Sequence, residues 1–374
     1  MQFGDVYGHD DIKAALKDQY IKGKLPHAML FAGPAGNGKL PVAIALAQYI
    51  HCINRNDNDS CGVCSSCVKI RNLAHPDLHF SFPTINTKGS GKPTNISSAW
   101  MEQWRTALQE IPYMHYTDWM SRIADENKQG NISRNEVHQI IQKLSLRTYE
   151  SASKIMIIWM AEYLQEEGNL LLKLIEEPPE GTYLILIADR PDDVLGTILS
   201  RCQLIRFGMM EDEGIARGIQ QDFNLSEQEA RNLAPLAEGD YMTARKLAAH
   251  ENSDIINDFI GWMRLCYKVE AAPLVDWVEE MSKRGREAQK QFVQGSQFLL
   301  REALHFQYNP AHKSRLEENE VESLKKFSQY LQFDQLVRLQ EQLEEDYRYI
   351  ARNGNPKVIF MTSSLSAHKI LKDR

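Results

Sequence analysis

A chain of 374 residues is long enough for two or three domains, each with a core of its own. Its 43% hydrophobic and 25% charged residues describe an ordinary soluble globular protein, and no run approaches the ~18 apolar residues of a membrane span. A net charge of −7 argues against a basic surface over the whole molecule, so any contact with nucleic acid is local or shared with partners.

The start, MQFGDVYGHDDIK, carries early acids and no apolar h-region. No signal peptide is expected, and the compartment is read as cytoplasmic. Asp10 is positioned to cap a helix carrying Ile12, Leu16 and Tyr20 on one face. HAMLFAG then reads as a buried strand, GPAGNGKLP as a glycine loop and LPVAIALAQYI as the helix behind it. A second strand is expected at DLHFSFPT. A capping box at Ser133 and Glu136 precedes the apolar stripe Val137, Ile140, Ile141, Leu144. Strand KIMIIWM, helix EGNLLLKLIEE, strand TYLILIA, helix PDDVLGTIL and strand QLIRF follow in that order. Alternation of this kind predicts an α/β domain with a mainly parallel sheet.

Residues 84–130 interrupt the rhythm. TKGSGKPTN reads as a flexible loop and MEQWRTALQE as a short helix, with Trp100, Trp104, Tyr113, Tyr116 and Trp119 close by. Basic and aromatic residues together suit stacking on single-stranded nucleic acid. The plainer reading, which we favour, is an inserted hairpin whose rings make a small core. Beyond residue 208 strand patterns cease. LSEQEARNLAPLAEGD carries a capping box (Ser226, Glu229), and the later helix DQLVRLQEQLEEDYRYI aligns Leu336, Leu339, Leu343 and Tyr347.

Three constellations carry chemistry. Gly33, Gly36, Gly38 and Lys39 have the G-x-x-x-x-G-K spacing of a phosphate-binding loop lying between strand and helix, the context that turns backbone N–H groups and a lysine toward phosphates. Leu40, however, stands where Ser or Thr would hold Mg²⁺. Trp159 and Met160 stand where a second acidic metal ligand and a catalytic carboxylate would follow the strand KIMIIW. Glu162 is nearby but has the wrong parity and distance. With three contacts missing, no hydrolysis is expected, and ATP or ADP binding is expected to be weak or absent.

Cys52, Cys61, Cys64 and Cys67 form C-x8-C-x2-C-x2-C, four thiols suited to one tetrahedral, structural Zn²⁺ with no open position for catalysis. Cys202 and Cys266 are read as ordinary buried thiols. Ser200-Arg201-Cys202 lies between a helix and a strand. There an arginine commonly complements a helix C-terminus, but beside an inactive pocket Arg201 also reads as a finger offered to a neighbour's nucleotide, with Ser200 supporting it.

VYGHDDIKAAL, LPHAMLFAGPAGNGK, the cysteine module, LLKLIEEPPEGTYLILIA, LSRCQLIRF and the closing NPKVIFMTSSL follow one another as in bacterial clamp-loader subunits. The chain thus resembles the AAA+ proteins of the DNA polymerase III holoenzyme, over nearly its whole length except 84–130. The resemblance implies three domains: an α/β AAA+ P-loop domain at 1–207 with a zinc module near 52–67, a helical lid at 208–252, and an all-α collar at 253–374. It also implies membership of a heteropentamer with motor (gamma/tau) and delta subunits, which loads a sliding clamp on primed DNA without membrane contact. Within that family, a damaged nucleotide site beside an intact cysteine module and Ser-Arg-Cys implies the non-hydrolysing member, with Arg201 reaching the adjacent motor subunit's ATP. Ala188 and Asp189 depart from the polar sensor of active relatives, and Arg245 matches the second sensor arginine only loosely. A motor-type ATPase with unusual magnesium ligation and a zinc-dependent nucleic-acid-binding module stay open as alternatives.

Overall fold

In the computed structural model, five strands pair in parallel in the order β2-β3-β4-β1-β5, namely β1 (Ala28–Ala32), β2 (Leu78–Ser81), β3 (Lys154–Trp159), β4 (Thr182–Ala188) and β5 (Gln203–Arg206). The structure describes all residues except 87–94, 125–127, 250–252, 269, 310–313, 315, 317 and 374. The chain divides into two compact units, Met1–Ala248 and Ala249–Arg374.

Parallel strands need covering on both faces, and β1 throughout and β3 and β4 beyond their first residues are apolar enough to be buried on both, whereas the edge strands β2 (LHFS) and β5 (QLIR) carry polar residues. Met29 and Phe31 of β1 join Ile155, Ile157, Ile185 and Ile187 on one face of the sheet. Ala28, Leu30 and Ala32 join Met156, Ile158, Leu184 and Leu186 on the other. The first face is covered by α1 (Asp10–Ile21), α2 (Lys39–His51) and α3 (Ser65–Arg71), through Leu16, the whole apolar length of α2, and Ile70. The second is covered by α6 (Arg134–Ser145), by a 3₁₀ stretch Ala161–Leu171 leading into α7 (Leu172–Glu176), and by the one-turn α8 (Gly196–Leu199). The helices expected at EGNLLLKLIEE and PDDVLGTIL are thus much shorter than their apolar patterns suggest. The first is 3₁₀ as far as Leu171 and α-helical only from Leu172, with Gln165 out of helical geometry just before it, and in the second Val194 is extended between a 3₁₀ turn at Pro191–Asp193 and α8.

MEQWRTALQE forms the short helix expected of it, α4 (Met101–Glu110), but a second helix, α5 (Tyr116–Ile123), follows it where a hairpin was expected. Among the described residues a single antiparallel bridge, Thr84 to Asn131, closes the base of the insertion. Its rings do not build a private core. Trp104 stacks on Phe82 at 4.1 Å and meets Trp119 edge-on at 5.0 Å and Trp159 at 5.2 Å, so the insertion completes the first face of the sheet. Trp119 Nε1–H donates to Pro83 O at 2.7 Å, which satisfies its buried polar edge. Truncating Trp104 to alanine would cost about 3–5 kcal/mol on this packing. Most of TKGSGKPTN, read as a flexible loop, lies outside the described residues.

Two caps differ from expectation. Helix α1 has His9 at its N-cap in the left-handed region (φ 54°), and Asp10 sits in the first turn, 2.6 Å from Lys13 Nζ. Ser133 caps α6 by accepting from the Glu136 N–H, but the Glu136 carboxylate does not return to the cap; it accepts from the Ser97 N–H at 2.7 Å, tying the insertion to α6. The Ser226–Glu229 box forms in full.

Three further helices, α9 (Asp212–Phe223), α10 (Glu227–Leu233) and α11 (Tyr241–Ala248), belong to the first unit and share a cluster built on Ile215, Ile219, Ala230, Tyr241 and Ala244. The described residues of the second unit form helices alone: α12 (Ser253–Lys268), α13 (Ala271–Lys283), α14 (Arg286–Tyr308), α15 (Glu318–Ser328), α16 (Phe333–Ala351) and α17 (Pro356–Lys372). Leu336, Leu339 and Leu343 face its core, as their spacing predicts, and Trp262 Nε1–H donates to Ser364 Oγ at 2.9 Å.

Candidate functional site

The glycine loop leaves the C-terminal end of β1, which is flanked by β4 and β5, and runs into the N-terminus of α2. Such a crevice at the strand ends is where open α/β sheets bind ligands. Gly33 passes so close to β5's continuation that a Cβ there would lie 2.2 Å from Phe207 O. Gly33, Gly36, Gly38 and Lys39 thus lie together between β1 and the N-terminus of α2.

What differs is the state of the lysine. Lys39 is only 4% exposed, and its ammonium lies 2.9 Å from Asp189 Oδ1, 2.8 Å from Gly33 O and 3.0 Å from Asn37 Oδ1, with Pro34 O also within hydrogen-bond reach. An ammonium has three protons, so these acceptors already saturate it. Burial disfavours its charge and lowers its pKa, while Asp189 opposes that shift. The cavity left beside the loop is about 20 Å³, lined by Pro112, Tyr113, Met114, Trp159, Ile187 and Asp189. That is room for a water, not for a phosphate chain.

The positions that would hold magnesium are apolar and used in packing. Leu40 and Trp159 are buried in the cluster on the first face of the sheet, and Met160 takes a left-handed backbone (φ 61°) as β3 ends. Glu162, the nearest acid in that stretch, accepts from the N–H groups of Asp189 (3.1 Å) and Arg190 (3.2 Å). Burial raises its pKa. It fixes the backbone that presents Asp189, a residue that stands out in the sequence only as a departure from a sensor. Apart from the acid that follows TYLILIA, no sequence signal links Asp189 to Lys39.

At the other end of α2 the four cysteine sulfurs all lie within 4.8 Å of one another. Cys52 ends α2, Cys64 caps α3 and Cys67 sits in its first turn. The Cys61 N–H points at Cys52 Sγ (3.2 Å) and the Cys64 N–H at Cys61 Sγ (3.3 Å), an arrangement that stabilises negative sulfur. None of the cysteines is in a disulfide. The donor set fits one soft, tetrahedral metal ion.

Arg201 follows α8 and is 35% exposed at its side chain. Its Nε–H donates to Glu176 Oε1 at 2.5 Å, and its Nη1 donates to Thr197 O (3.0 Å) and Ser200 Oγ (3.3 Å). Ser200 donates to the same Thr197 carbonyl. In this chain by itself, then, Arg201 complements a helix end. Arg245 pairs with Asp222 at 2.8 Å and lies over the Phe223 ring, so it serves α9. Cys202 and Cys266 are buried thiols.

Among curated relatives, the delta′ subunit of DNA polymerase III from Bacillus subtilis is 30% identical over 215 residues, 57% of this chain and 51% of its own length. The tau subunit from the same organism is 21% identical over 96% of this chain and 60% of its own length. The chain thus spans between about half and three-fifths of these relatives. A crystal structure of a gamma subunit-related protein from Thermotoga maritima covers 96% of this chain and 99% of its own, at 15% identity and a TM-score of 0.44. Residues 8–211, more than half of the sequence, match the family described as DNA polymerase III, delta subunit, and the chain belongs to that family.

Proposed function

We propose that this chain is a clamp-loader subunit of the delta′ kind: it hydrolyses no ATP itself and lends Arg201, supported by Ser200, to the nucleotide site of an adjacent motor subunit. The observation that carries the first half is the saturated Lys39, held by Asp189 and the loop's own carbonyls with Leu40 and Trp159 in place of magnesium ligands. Without a metal and a free lysine nothing neutralises the charge that develops on a transferring phosphoryl group. Support for the setting comes from relatives named as delta′, gamma and tau subunits of DNA polymerase III.

In this reading Cys52, Cys61, Cys64 and Cys67 hold a structural Zn²⁺, which fastens the end of α2 to α3. The chain works as three parts, with α9–α11 as a lid and the second unit as the collar that joins gamma/tau and delta partners. Sliding clamp and primed DNA are met through that assembly. Of the described residues, no helix is long and apolar enough to cross a membrane.

The match to a tau subunit over 96% of this chain favours a second reading, a motor subunit with unusual magnesium ligation. ATP turnover by the purified full chain separates the two. We expect background rates, unchanged in Lys39→Ala. Turnover near ~1 s⁻¹, the low end for ordinary enzymes, that disappears in Lys39→Ala would establish the motor reading.

A further inference from the structure

The phosphate loop is covered by parts of the chain that are far away in sequence. Gly36, with a left-handed backbone (φ +67°), has space for nothing beyond hydrogen: a Cβ there would lie 1.9 Å from Asp240 Oδ1 and 2.8 Å from His115 Nε2. Those two side chains are themselves paired, His115 Nε2 to Asp240 Oδ1 at 2.9 Å. The Tyr241 N–H donates to Gly36 O at 3.1 Å, so the start of α11 is bonded to the loop's backbone. Two residues along, a Cβ at Gly38 would sit 3.1 Å from the Tyr113 ring.

Tyr113 is 6% exposed and is held on several sides. Its ring lies 4.5 Å from that of Tyr241 and stacks on Tyr7 at 6.0 Å, and its hydroxyl oxygen accepts from the Tyr7 N–H at 2.8 Å. Tyr7 and Tyr241 in turn both donate to Asp222 of α9. Three stretches of chain, the entry to α1, the turn between α4 and α5, and the start of α11, therefore converge over one loop.

The charges point the same way. A working phosphate loop offers N–H groups and a free lysine to an anion. Here the ammonium of Lys39 is paired with Asp189 at 2.9 Å, and the carboxylates of Glu162 and Asp240 add weaker negative charge to its surroundings. A nucleotide's phosphates entering this place would displace packed rings and meet negative charge.

We propose that Tyr113 and His115, latched by Asp240 and Tyr241, are a built-in occupant of the phosphate loop. They shut out nucleoside di- and triphosphates and join helices α9–α11 to the sheet with no ligand. The 84–130 insertion thus does inside the chain what a bound nucleotide would do in joining loop to lid. The proposal deepens the non-hydrolysing reading and rests on it for its functional sense, but its test is separate.

The test uses the full chain, titrated with ADP and ATP with and without Mg²⁺ and followed by calorimetry, turnover and amide hydrogen exchange. Wild type should bind neither nucleotide through the millimolar range, with Gly36–Lys39 and Tyr241–Ala248 both well protected. His115→Ala should accelerate exchange in both segments together by about tenfold or more, as expected on losing a charge-assisted hydrogen bond. Should that variant fail to fold, His115→Gln carries the same expectation. Saturable binding of ADP or ATP by wild type without turnover overturns the built-in occupant and leaves the non-hydrolysing reading standing; turnover overturns both. Unchanged exchange in a folded His115 variant overturns the latch alone.

Discussion

Lys39 and Asp189 form an ion pair at 2.9 Å in which the lysine side chain is 4% exposed and the aspartate 19%. Removing one member of such a pair leaves the other charged and poorly solvated, which costs more than the pair contributes over an apolar replacement. Asp189→Ala should therefore destabilise the first unit by about 3 kcal/mol, near the low end of buried pairs because Asp189 keeps some water. Lys39→Met made in the same chain should recover much of that loss. Urea unfolding of the single and double variants, read by tryptophan fluorescence, measures the coupling; strictly additive effects would deny it.

The His115–Asp240 contact has a pH signature with a definite sign. Burial works against a charged His115, but the hydrogen bond and charge of Asp240, helped by Asp118 and opposed by Lys246, outweigh it and raise the pKa above 6.5. Its contribution is thus complete below pH 6.5 and is lost as pH rises through the raised value. Burial would raise the Asp240 pKa, yet the hydrogen bonds and charge it gains from His115, Thr243 and the Met242 N–H bring it below 3.8. Its contribution is complete above pH 3.8 and is lost as pH falls through the lowered value. Protection factors in Tyr241–Ala248, corrected for intrinsic exchange, should be highest between about pH 4 and 6.5 and decline toward alkaline pH. His115→Gln should flatten the alkaline limb; an unaltered limb would assign it to another group.

Much of this was legible because it is local. Strands such as KIMIIW and TYLILIA are apolar after their first residues, the loop's glycines are fixed by spacing, and four of the cysteines lie within sixteen residues, so each names its own structure. The insertion's helix at MEQWRTALQE is legible, but the rest reads as a hairpin because the sequence shows its tryptophans without their partners. Phe82 and Trp159 come from β2's end and β3, and only the fold brings them to Trp104. The same holds for Lys39, whose partner follows β4, and for Gly36, whose cover comes from His115 and Asp240. Contacts of such sequence separation leave no periodicity or motif, and a polar residue after a strand looks alike whether it senses a ligand or ties down a lysine.

The cysteine module predicts a metal stoichiometry. Protein purified without added metal should carry about one Zn²⁺ per chain, as four thiolates closing one tetrahedral site require. Cys64→Ser should lose most of that metal and loosen residues 52–71, because Cys64 caps α3 and its N–H faces Cys61 Sγ. The core strands should keep their exchange protection. Elemental analysis and hydrogen exchange read the two effects, and a metal content near zero in reduced, folded protein would remove zinc from the account.

Arg201 offers the sharpest choice between a local and an intermolecular role, because Glu176 and the Thr197 carbonyl already engage it. If it only complements the end of α8, a lysine keeps the charge, and a complex reconstituted with gamma/tau and delta partners should load clamps normally. If it is a finger, the planar guanidinium matters, since an ammonium cannot reproduce a forked contact to phosphate oxygens. Fingers in phosphoryl transfer contribute up to about 10³–10⁵ in rate at their own site. A finger of this chain would serve one site of such a ring, so total ATPase should fall by a fraction while clamp loading falls further. We expect that outcome for both Arg201→Lys and Arg201→Ala, with assembly intact. Glu176→Gln supplies the control, because it weakens the salt bridge at 2.5 Å without touching the guanidinium. A finger relieved of that bridge reaches outward at lower cost, so loading should hold or rise, whereas a purely structural arginine would lose stability in Glu176→Gln and Arg201→Ala alike and leave loading by Arg201→Lys untouched.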